Sequence, residues 1–235
     1  MTRRIDVAFR HEDAVVAQVG AAAVVDTLRA TTTMTVILGR GAVAIRPVAD
    51  LEEAYALKAR DPELLLGGER NNRPPEGFDG GNSPFDWPRH RVIGRRVVFT
   101  TTNGTAAVEK VHTVARMVLA SLLNAEAVSR YLWQLERPTL LVASGTRGET
   151  ALEDVLACGA VASFWPRTNR SDAAEIACAL YEREKDHLVT ALTECHHGQD
   201  LAKLGLAEDL AFAAQLNSSS VVPVLCSDGW IRAAE

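Results

Sequence analysis

The order of apolar and polar segments is the feature that most constrains the fold of this chain. Short apolar runs, such as AAAVV at 21–25 and TLLVA at 139–143, alternate with polar loops and with segments of helical spacing. Strands that alternate with helices predict an α/β fold with a mainly parallel or mixed sheet that is covered on both faces. The predicted strands are 5–9, 15–19, 21–25, 42–45, 64–66, 96–99, 117–120, 139–143 and 221–225.

Length and composition are those of a globular protein. Of the 235 residues, 47% are hydrophobic and 23% are charged, so we expect one domain over 1–235. The net charge of −5 argues against a general nucleic-acid binder, which needs a clustered basic surface. The N-terminus has no apolar core of signal-peptide length, no apolar run suits a membrane span, and the four cysteines have no CxxC spacing. We therefore expect a soluble, cytoplasmic protein that binds neither nucleic acid nor membranes.

The longest irregular segment spans 67–88 and is rich in Gly, Pro and Asn. Loops of this length in compact domains are usually functional or disordered. Because the segment contains Phe78, Phe85 and Trp87, we expect packing to hold it in place. Its edges could also pack against a second copy, which would make the protein a homo-oligomer.

Three loops share one pattern, in which small hydroxylated residues follow an apolar strand and precede a helix. They span 26–33, 100–105 and 144–150, and two of them contain an arginine, Arg29 or Arg147. Free N–H groups at a helix N-terminus bind anions, and an arginine adds bidentate contacts to an oxyanion. Ser, Thr and Asp are also the usual helix N-caps without any ligand. Three such loops together favour a site for a small anionic substrate.

Several carboxylates lie close to these loops in the sequence. Asp26 ends a buried strand, Glu69 and Asp79 lie in the irregular segment, and Glu149 and Asp154 flank the start of a predicted helix. Two or three of them in one place would suit Mg²⁺, which binds carboxylates, waters and substrate phosphate. The neighbouring Glu153 could equally serve as a first-turn acid that stabilises the helix dipole.

Other catalytic motifs are missing or weak. The adjacent residues Cys195, His196 and His197 have no evident partners, so we interpret them as structural or surface residues. No cysteine precedes an arginine at C-x5-R spacing, and Leu28 stands where an aspartyl-phosphate phosphatase has its second acid. Neither a GxxxxGK[ST] loop nor a GxGxxG motif after a strand is present.

A family resemblance extends over almost the whole chain, from about residue 5 to residue 231. The motifs DTLRATTT at 26–33, GER at 68–70, GFDGGNSP at 77–84, TTNGT at 101–105 and LEDV at 152–155 resemble those of the 2-phosphosulfolactate phosphatase family. Asn217, VVPV at 221–224 and DG at 228–229 fit as well. The resemblance implies a three-layer α/β/α fold and a Mg²⁺-dependent phosphatase. That enzyme would convert 2-phospho-3-sulfolactate to sulfolactate and phosphate, an early step of coenzyme M synthesis.

These motifs assign a role to each candidate residue. We expect Asp26, Arg29 and Asn103 to be catalytic, with Arg29 offsetting charge on the phosphoryl group and either water or Asp26 as the attacking group. The predicted metal ligands are Asp26, Glu69, Asp79, Glu149 and Asp154. The predicted substrate-binding residues are Thr31, Thr32, Arg70, Asn82, Ser83, Thr102, Gly104, Thr105, Ser144 and Arg147.

Two alternatives stay open at this point. A phosphatase with the same mechanism could act on a different small phosphorylated acid, because the motifs indicate the phosphate and the metal but not the sulfonate. A non-catalytic protein that binds an anionic metabolite would use the same loops, although clustered carboxylates would not help it without a metal.

Overall fold

The computed structural model describes residues 3–234, and its strands form one nine-stranded sheet. The strands are β1 (Ile5–Ala8), β2 (Ala21–Val25), β3 (Ala44–Pro47), β4 (Leu65–Gly68), β5 (Arg96–Thr100), β6 (Met117–Ala120), β7 (Thr139–Ala143), β8 (Pro223–Leu225) and β9 (Ile231–Ala233). Their order across the sheet is β1-β7-β2-β6-β8-β9-β3-β5-β4.

The sheet contains two parallel groups that run in opposite directions. Strands β1, β7, β2 and β6 pair in parallel, and so do β3, β5 and β4. Strands β8 and β9 join the groups, and each of the pairings β6–β8, β8–β9 and β9–β3 is antiparallel. Three antiparallel steps reverse the chain direction between the groups. The predicted mainly parallel sheet is therefore confirmed in its mixed form.

Helices follow most of the strands, as the sequence pattern predicts. The α-helices of the described residues are α1 (Ala30–Gly39), α2 (Leu51–Arg60), α3 (Arg89–Val92), α4 (Gly104–Val111), α5 (Ala125–Gln134), α6 (Leu152–Ala162), α7 (Asp172–Glu184), α8 (Leu188–Glu194), α9 (His196–Lys203) and α10 (Ala207–Ala213). No helix within residues 3–234 combines the length and the apolar character that crossing a membrane requires.

Helices cover both faces of the sheet, and α1 and α4 lie on the face that the two parallel groups share. Val24 of β2 and Phe99 of β5 belong to the same apolar cluster as Met34 of α1 and Val111 of α4. The alternate side chains of β2 pack towards α5, α6 and α7, whereas those of β4 and β5 pack towards α2. This is the expected three-layer α/β/α arrangement. Because both groups pack on α1 and α4, loops from the two groups can meet although their strands run in opposite directions.

The strand predicted at 15–19 is wrong. This segment has no strand partner, Val15 is 72% exposed, and the N–H of Val19 bonds to the carbonyl of Val16 in a turn. Val16 and Val19 instead pack as single side chains against the cluster around α1 and α4. Side-chain packing thus accounts for their apolar character without a strand.

One tryptophan anchors the irregular segment 67–88. Trp87 is fully buried, packs against Phe99 and donates from Nε1 to the carbonyl of Gly81 at 3.0 Å. A Cβ at Gly80 would lie 2.8 Å from the indole, so the chain needs glycine there. Packing therefore holds the segment, although Phe85 remains half exposed.

Candidate active site

Residues from both halves of the sheet meet at one small cleft of about 190 Å³, which we call the Asp26 cleft. The segments that follow β2, β4, β5 and β7 all contribute to it, together with one residue of α9. Its lining residues are Asp26, Leu28, Glu69, Asn71, Asn72, Asn82, Thr101, Thr102, Asn103, Thr146, Arg147 and His197.

Asp26 lies at the inner end of the cleft, directly after β2. Its side chain is buried, and Oδ1 accepts a hydrogen bond of 3.0 Å from the N–H of Ala30 at the start of α1. Burial raises its pKa to about 6, to which the charges of Glu69 and Glu153 contribute, although the Ala30 N–H and His197 oppose the rise. A Cβ at Gly104 would lie 2.8 Å from Oδ2, so only glycine allows α4 to begin this close to the carboxylate.

Glu69 joins the ends of the neighbouring strands β4 and β5. Its Oε1 accepts hydrogen bonds from the N–H and the hydroxyl of Thr102 at 2.9 and 3.0 Å. Its Oε2 accepts from the N–H of Asn72 at 2.8 Å. Gly68, which precedes it, has φ +122, a conformation that glycine adopts without steric cost. The loop after β5 is therefore held against a carboxylate that also faces the cleft.

The first turn of α6 supplies two buried carboxylates with different partners. Asp154 accepts hydrogen bonds from the N–H groups of Thr27 at 2.7 Å and Gly145 at 3.1 Å, which ties the loops after β2 and β7 together. Burial raises the pKa of Asp154 well above its ordinary value, and the charges of Glu153 and Asp26 add to that rise. The Oε1 atom of Glu153 lies 3.2 Å from Nδ1 of His197.

The start of α4 offers N–H groups to the cleft. Asn103 is the N-cap of this helix, but its side chain makes no capping hydrogen bond, so the amide is available to a ligand. The first N–H groups of a helix have no intrahelical partner and carry a partial positive charge. Nearby, Thr101 Oγ1 and Asn82 Oδ1 are buried without a hydrogen-bond partner in the described chain. The cleft thus combines carboxylates, an amide and unused polar atoms.

Six of the predicted site residues line this cleft, and a seventh borders it. Gly104 is the residue at the border, next to Asp26. The six lining residues are Asp26, Glu69, Asn82, Thr102, Asn103 and Arg147.

Three predicted substrate-binding threonines instead stabilise the backbone. Thr31 donates to the carbonyl of Ala120 at 2.7 Å, Thr32 to that of Thr27 at 2.8 Å, and Thr105 to that of Thr101 at 2.5 Å. All three are buried and absent from the lining of the cleft. Their hydroxyls bond to backbone carbonyls, so these three residues are not among those that the structure brings together at the cleft.

Arg70 and Asp79 also lie outside the cleft. Arg70 donates to the carbonyls of Glu69 and Ala49 and to the hydroxyl of Thr100, so it holds the ends of β4 and β5 together. Asp79 accepts from the N–H of Leu66 at 2.8 Å and thereby fixes the return of the irregular segment to β4. The structure gives both residues a scaffolding role.

The predicted site residues in and after the loop that follows β7 do not all lie in the Asp26 cleft. Ser144 is buried away from the cleft, and its carbonyl accepts from Nδ1 of His11. Glu149 is exposed and lines a larger pocket of about 590 Å³ that shares Thr146, Arg147 and His197 with the Asp26 cleft. Asp154 does not line the cleft, and its carboxylate oxygens accept from the N–H groups of Thr27 and Gly145. Glu149 and Asp154 therefore do not join Asp26 as an open pair of ligands.

Arg29 and Ser83 face a different cavity. Both line a pocket of about 330 Å³, which we call the Arg29 pocket, and this pocket shares Asn72 and Asn82 with the Asp26 cleft. Arg29 pairs with Asp209, whose other oxygen accepts from the hydroxyl of Ser83. The two residues lie beside the cleft and not within it.

His197 is the main residue of the cleft that sequence reasoning missed. Its side chain is 13% exposed, and its partner Glu153 is 2% exposed. The sequence shows two adjacent histidines with no partner nearby, because Glu153 precedes His197 by 44 residues. The sequence shows Glu153 only as a first-turn acid, and its burial against His197 becomes visible in the structure alone.

The donor chemistry of the cleft fits a divalent cation. The charges of Glu69 and Glu153 raise the pKa of Asp26, so a cation between these carboxylates would relieve their repulsion. Within residues 3–234, no three His, Cys, Asp or Glu side chains form a ready-made metal cage. Mg²⁺ does not need one, because it keeps several waters and binds one or two carboxylates plus substrate phosphate. Asp26 and Glu69 are the residues that would hold it.

Known proteins resemble the chain over nearly its full length. The family model described as 2-phosphosulpholactate phosphatase matches residues 9–228. A protein of Pseudothermotoga lettingae is 38% identical over 98% of this chain and 99% of its own length. A protein of Symbiobacterium thermophilum is 39% identical over 86% of this chain and 90% of its own length. A protein of Deinococcus radiodurans is 40% identical over 87% of this chain and 87% of its own length. All three are named probable 2-phosphosulfolactate phosphatase. The chain belongs to the 2-phosphosulpholactate phosphatase family.

Proposed function

We propose that this protein hydrolyses 2-phospho-3-sulfolactate to 3-sulfolactate and inorganic phosphate in a reaction that depends on Mg²⁺. As a member of its family it is a phosphoric monoester hydrolase. The convergence of Asp26, Glu69 and Asn103 on one cleft carries the proposal, because these residues come from three distant motifs. Its place in coenzyme M synthesis is a prediction that rests on the resemblance alone, and a cytoplasmic location remains a prediction from the sequence.

The start of α4 is the proposed phosphate-binding element. Free N–H groups of its first turn, the Asn103 amide and the Thr102 hydroxyl can donate to phosphoryl oxygens. When bound by Asp26 and Glu69, Mg²⁺ would polarise a phosphoryl oxygen and offset its charge. The fixed donors add electrostatic stabilisation as charge develops on the phosphoryl oxygens.

Asp26 is the proposed central catalytic group. Its pKa of about 6 keeps the carboxylate mostly ionised at neutral pH. Oδ1 is fixed by the Ala30 N–H, and Oδ2 makes no hydrogen bond to another residue of 3–234. Oδ2 can therefore attack phosphorus or orient an attacking water. The stereochemical course at phosphorus separates these routes, because one direct displacement by water inverts the configuration whereas two successive displacements through a phospho-Asp26 intermediate retain it.

His197 is the proposed proton donor to the leaving alkoxide. A secondary alkoxide is a poor leaving group, so its protonation accelerates cleavage of the ester bond. Glu153, which is almost fully buried, lies 3.2 Å from Nδ1 of His197 and can orient the ring as a hydrogen-bond acceptor. His197 lines the same cleft as Asp26, in which the proposed ester would bind.

A phosphatase that acts on a different small phosphorylated acid is the second candidate. The cleft offers donors for a phosphate and carboxylates for a metal, but none of its lining residues is diagnostic of a sulfonate. A non-catalytic anion-binding protein is less consistent with the structure, because buried carboxylates at the centre of the cleft repel an unaccompanied anion.

Phosphate release from 2-phospho-3-sulfolactate tests the proposal directly. Turnover should require Mg²⁺, stop with EDTA and resume when Mg²⁺ is added back, and Asp26→Asn should abolish it. If the wild-type protein binds the ester but releases no phosphate with Mg²⁺ present, the chain is not this phosphatase. If other phosphorylated acids are hydrolysed at higher kcat/KM, the second candidate is correct.

A further inference from the structure

The Arg29 pocket contains a buried arginine whose hydrogen-bonding capacity is only partly used. Arg29 is 3% exposed, and its Nη1 lies 2.6 Å from Oδ2 of Asp209. Its Nη2 is buried without a hydrogen-bond partner in residues 3–234. An unsatisfied donor on a buried charged group is costly, and most buried polar groups have partners. A ligand with acceptor oxygens would satisfy the unpaired Nη2 of this guanidinium.

The wall behind Arg29 is fixed. Asp209 is 2% exposed and lies in the first turn of α10. Its Oδ1 accepts a hydrogen bond of 2.6 Å from Ser83, which itself lines the pocket. With one oxygen held by Ser83 and the other by Arg29, Asp209 keeps the guanidinium in a single orientation. Such preorganisation reduces the entropic cost of binding an anion.

One further donor, Arg73, and one amide side chain, Asn82, border the same pocket. Arg73 lies at its exposed rim, and no hydrogen bond or ion pair within the described residues occupies its guanidinium. Asn82 lines both the pocket and the Asp26 cleft, and its Oδ1 is a second buried atom without a partner. Of the carboxylates nearby, Asp209 is paired with Arg29, whereas Asp86 accepts from the N–H of Gly81 and keeps its negative charge.

The pocket and the cleft therefore differ in charge. The inner part of the cleft contains Asp26 and Glu69 and suits a metal-bound phosphate, whereas the pocket presents two arginines against one carboxylate, Asp86, that is unpaired within residues 3–234, and suits an anion without a metal. Because Asn72 and Asn82 line both cavities, a small molecule can extend from one into the other. A guanidinium binds the two oxygens of a carboxylate or sulfonate in a bidentate manner.

We propose that the Arg29 pocket binds a second acid group of the substrate, a carboxylate or a sulfonate, while the phosphate occupies the Asp26 cleft. This inference rests on the proposed phosphatase function and deepens it. It assigns Arg29 to recognition of the non-reacting end of the molecule, whereas the sequence motif predicts a role at the phosphoryl group. The substrate class is then a small phosphate ester with an acid group next to the ester carbon.

A panel of four esters tests the inference. The first is 2-phospho-3-sulfolactate, the second keeps only the carboxylate (2-phospholactate), the third keeps only the sulfonate, and the fourth is isopropyl phosphate, which has neither. Each is measured with wild type, Arg29→Gln, Arg73→Gln and, as a matched control on exposed α3, Arg89→Gln. The readout is the ratio of kcat/KM for each acidic ester to that for isopropyl phosphate.

We expect this ratio to fall ~10–100-fold in Arg29→Gln, the effect of losing a charged hydrogen bond, and ~3–10-fold in Arg73→Gln. The control should keep the wild-type ratio. The ester whose ratio falls identifies the acid that occupies the pocket. If Arg29→Gln lowers kcat/KM equally for all four esters, Arg29 acts on the phosphoryl group and the inference is overturned.

Arg29→Gln could fail to fold, because Asp209 would lose its partner. In that case the test uses Arg73→Gln, which changes an exposed residue at the rim of the pocket. If the kcat/KM ratio of Arg73→Gln then equals that of wild type, the inference is overturned. A wild-type protein that hydrolyses none of the four esters contradicts the proposed function instead, so the two failures are distinguishable. Calorimetry of 3-sulfolactate binding then still tests the proposed role of the pocket. Weaker binding to Arg73→Gln than to wild type supports that role, and equal affinity overturns it.

Discussion

The Nδ1 atom of His197 lies 3.2 Å from Oε1 of Glu153, and the carboxylate is 2% exposed. A buried acid that accepts from one ring nitrogen leaves the other nitrogen free for proton transfer. The same pair also lies between the Asp26 cleft and the larger pocket beside it, since His197 lines both. This geometry gives the first prediction.

His197→Ala should lower kcat on 2-phospho-3-sulfolactate by ~10²–10³, the usual contribution of a general acid. The loss should be less than ~10-fold on p-nitrophenyl phosphate, because nitrophenolate leaves without protonation. Glu153→Gln should show the same leaving-group dependence to a smaller degree. Steady-state kinetics on both esters measures the effect, and His196→Ala, a change at the exposed neighbouring histidine, is the control. Equal losses on the two esters would show that His197 does not supply the proton.

The second prediction concerns the stability cost of Asp26. Its folded pKa of about 6 lies above its ordinary value of 3.8, so between these values the folded protein binds more protons than the unfolded chain. Stability of the metal-free protein therefore falls as pH rises through this window, and the penalty is fully present at pH 7. Since one pKa unit corresponds to about 1.4 kcal/mol, the penalty is on the order of 2–3 kcal/mol.

Asp26→Asn removes this charge and should raise the free energy of unfolding of the metal-free protein at pH 7 by up to this amount while abolishing turnover. The gain should disappear at pH 4, where the wild-type carboxyl is protonated in the folded state. Urea titrations in EDTA at the two pH values measure the difference. A variant that is less stable than wild type at pH 7 would mean that the carboxylate makes a stabilising contact that outweighs its burial.

The sequence pattern predicts those parts of the fold that depend on neighbouring residues in the chain. β2 and β7 begin and end at the predicted residues because buried strands are continuous apolar runs. The predicted residues Asp26, Asn103 and Glu69 all line the Asp26 cleft, and each lies at or within three residues of the end of a strand. Thr31 shows the limit, since its place in the motif does not reveal that its hydroxyl reaches the carbonyl of Ala120, a residue 89 positions away. Long-range contacts of this kind also hide His197 and the Arg29 pocket.

The third prediction uses the close approach of Gly104 to Asp26. A Cβ at this position would lie 2.8 Å from Oδ2 of Asp26 and 2.9 Å from Cβ of Ala30, so α4 or the carboxylate must move. Gly104→Ala should lower kcat/KM at least ~10-fold, because small misplacements of catalytic groups are costly. In the control Gly39→Ala, the new methyl group meets only Val221 at 3.5 Å, and activity should be retained. Full activity of Gly104→Ala would show that the start of α4 is not part of the site.

The last prediction separates metal ligands from scaffold acids. A ligand that binds only the folded protein raises its melting temperature, and the rise grows with ligand concentration. Mg²⁺ should therefore raise the melting temperature of the wild-type protein, and Asp26→Asn and Glu69→Gln should lose most of that rise. Asp79→Asn and Glu149→Gln should keep it, because Asp79 bonds to the N–H of Leu66 and Glu149 is exposed outside the cleft. Thermal scans with and without Mg²⁺ on these variants are the measurement. If Glu149→Gln loses the rise in melting temperature and Glu69→Gln keeps it, the metal binds in the larger neighbouring pocket and not in the Asp26 cleft.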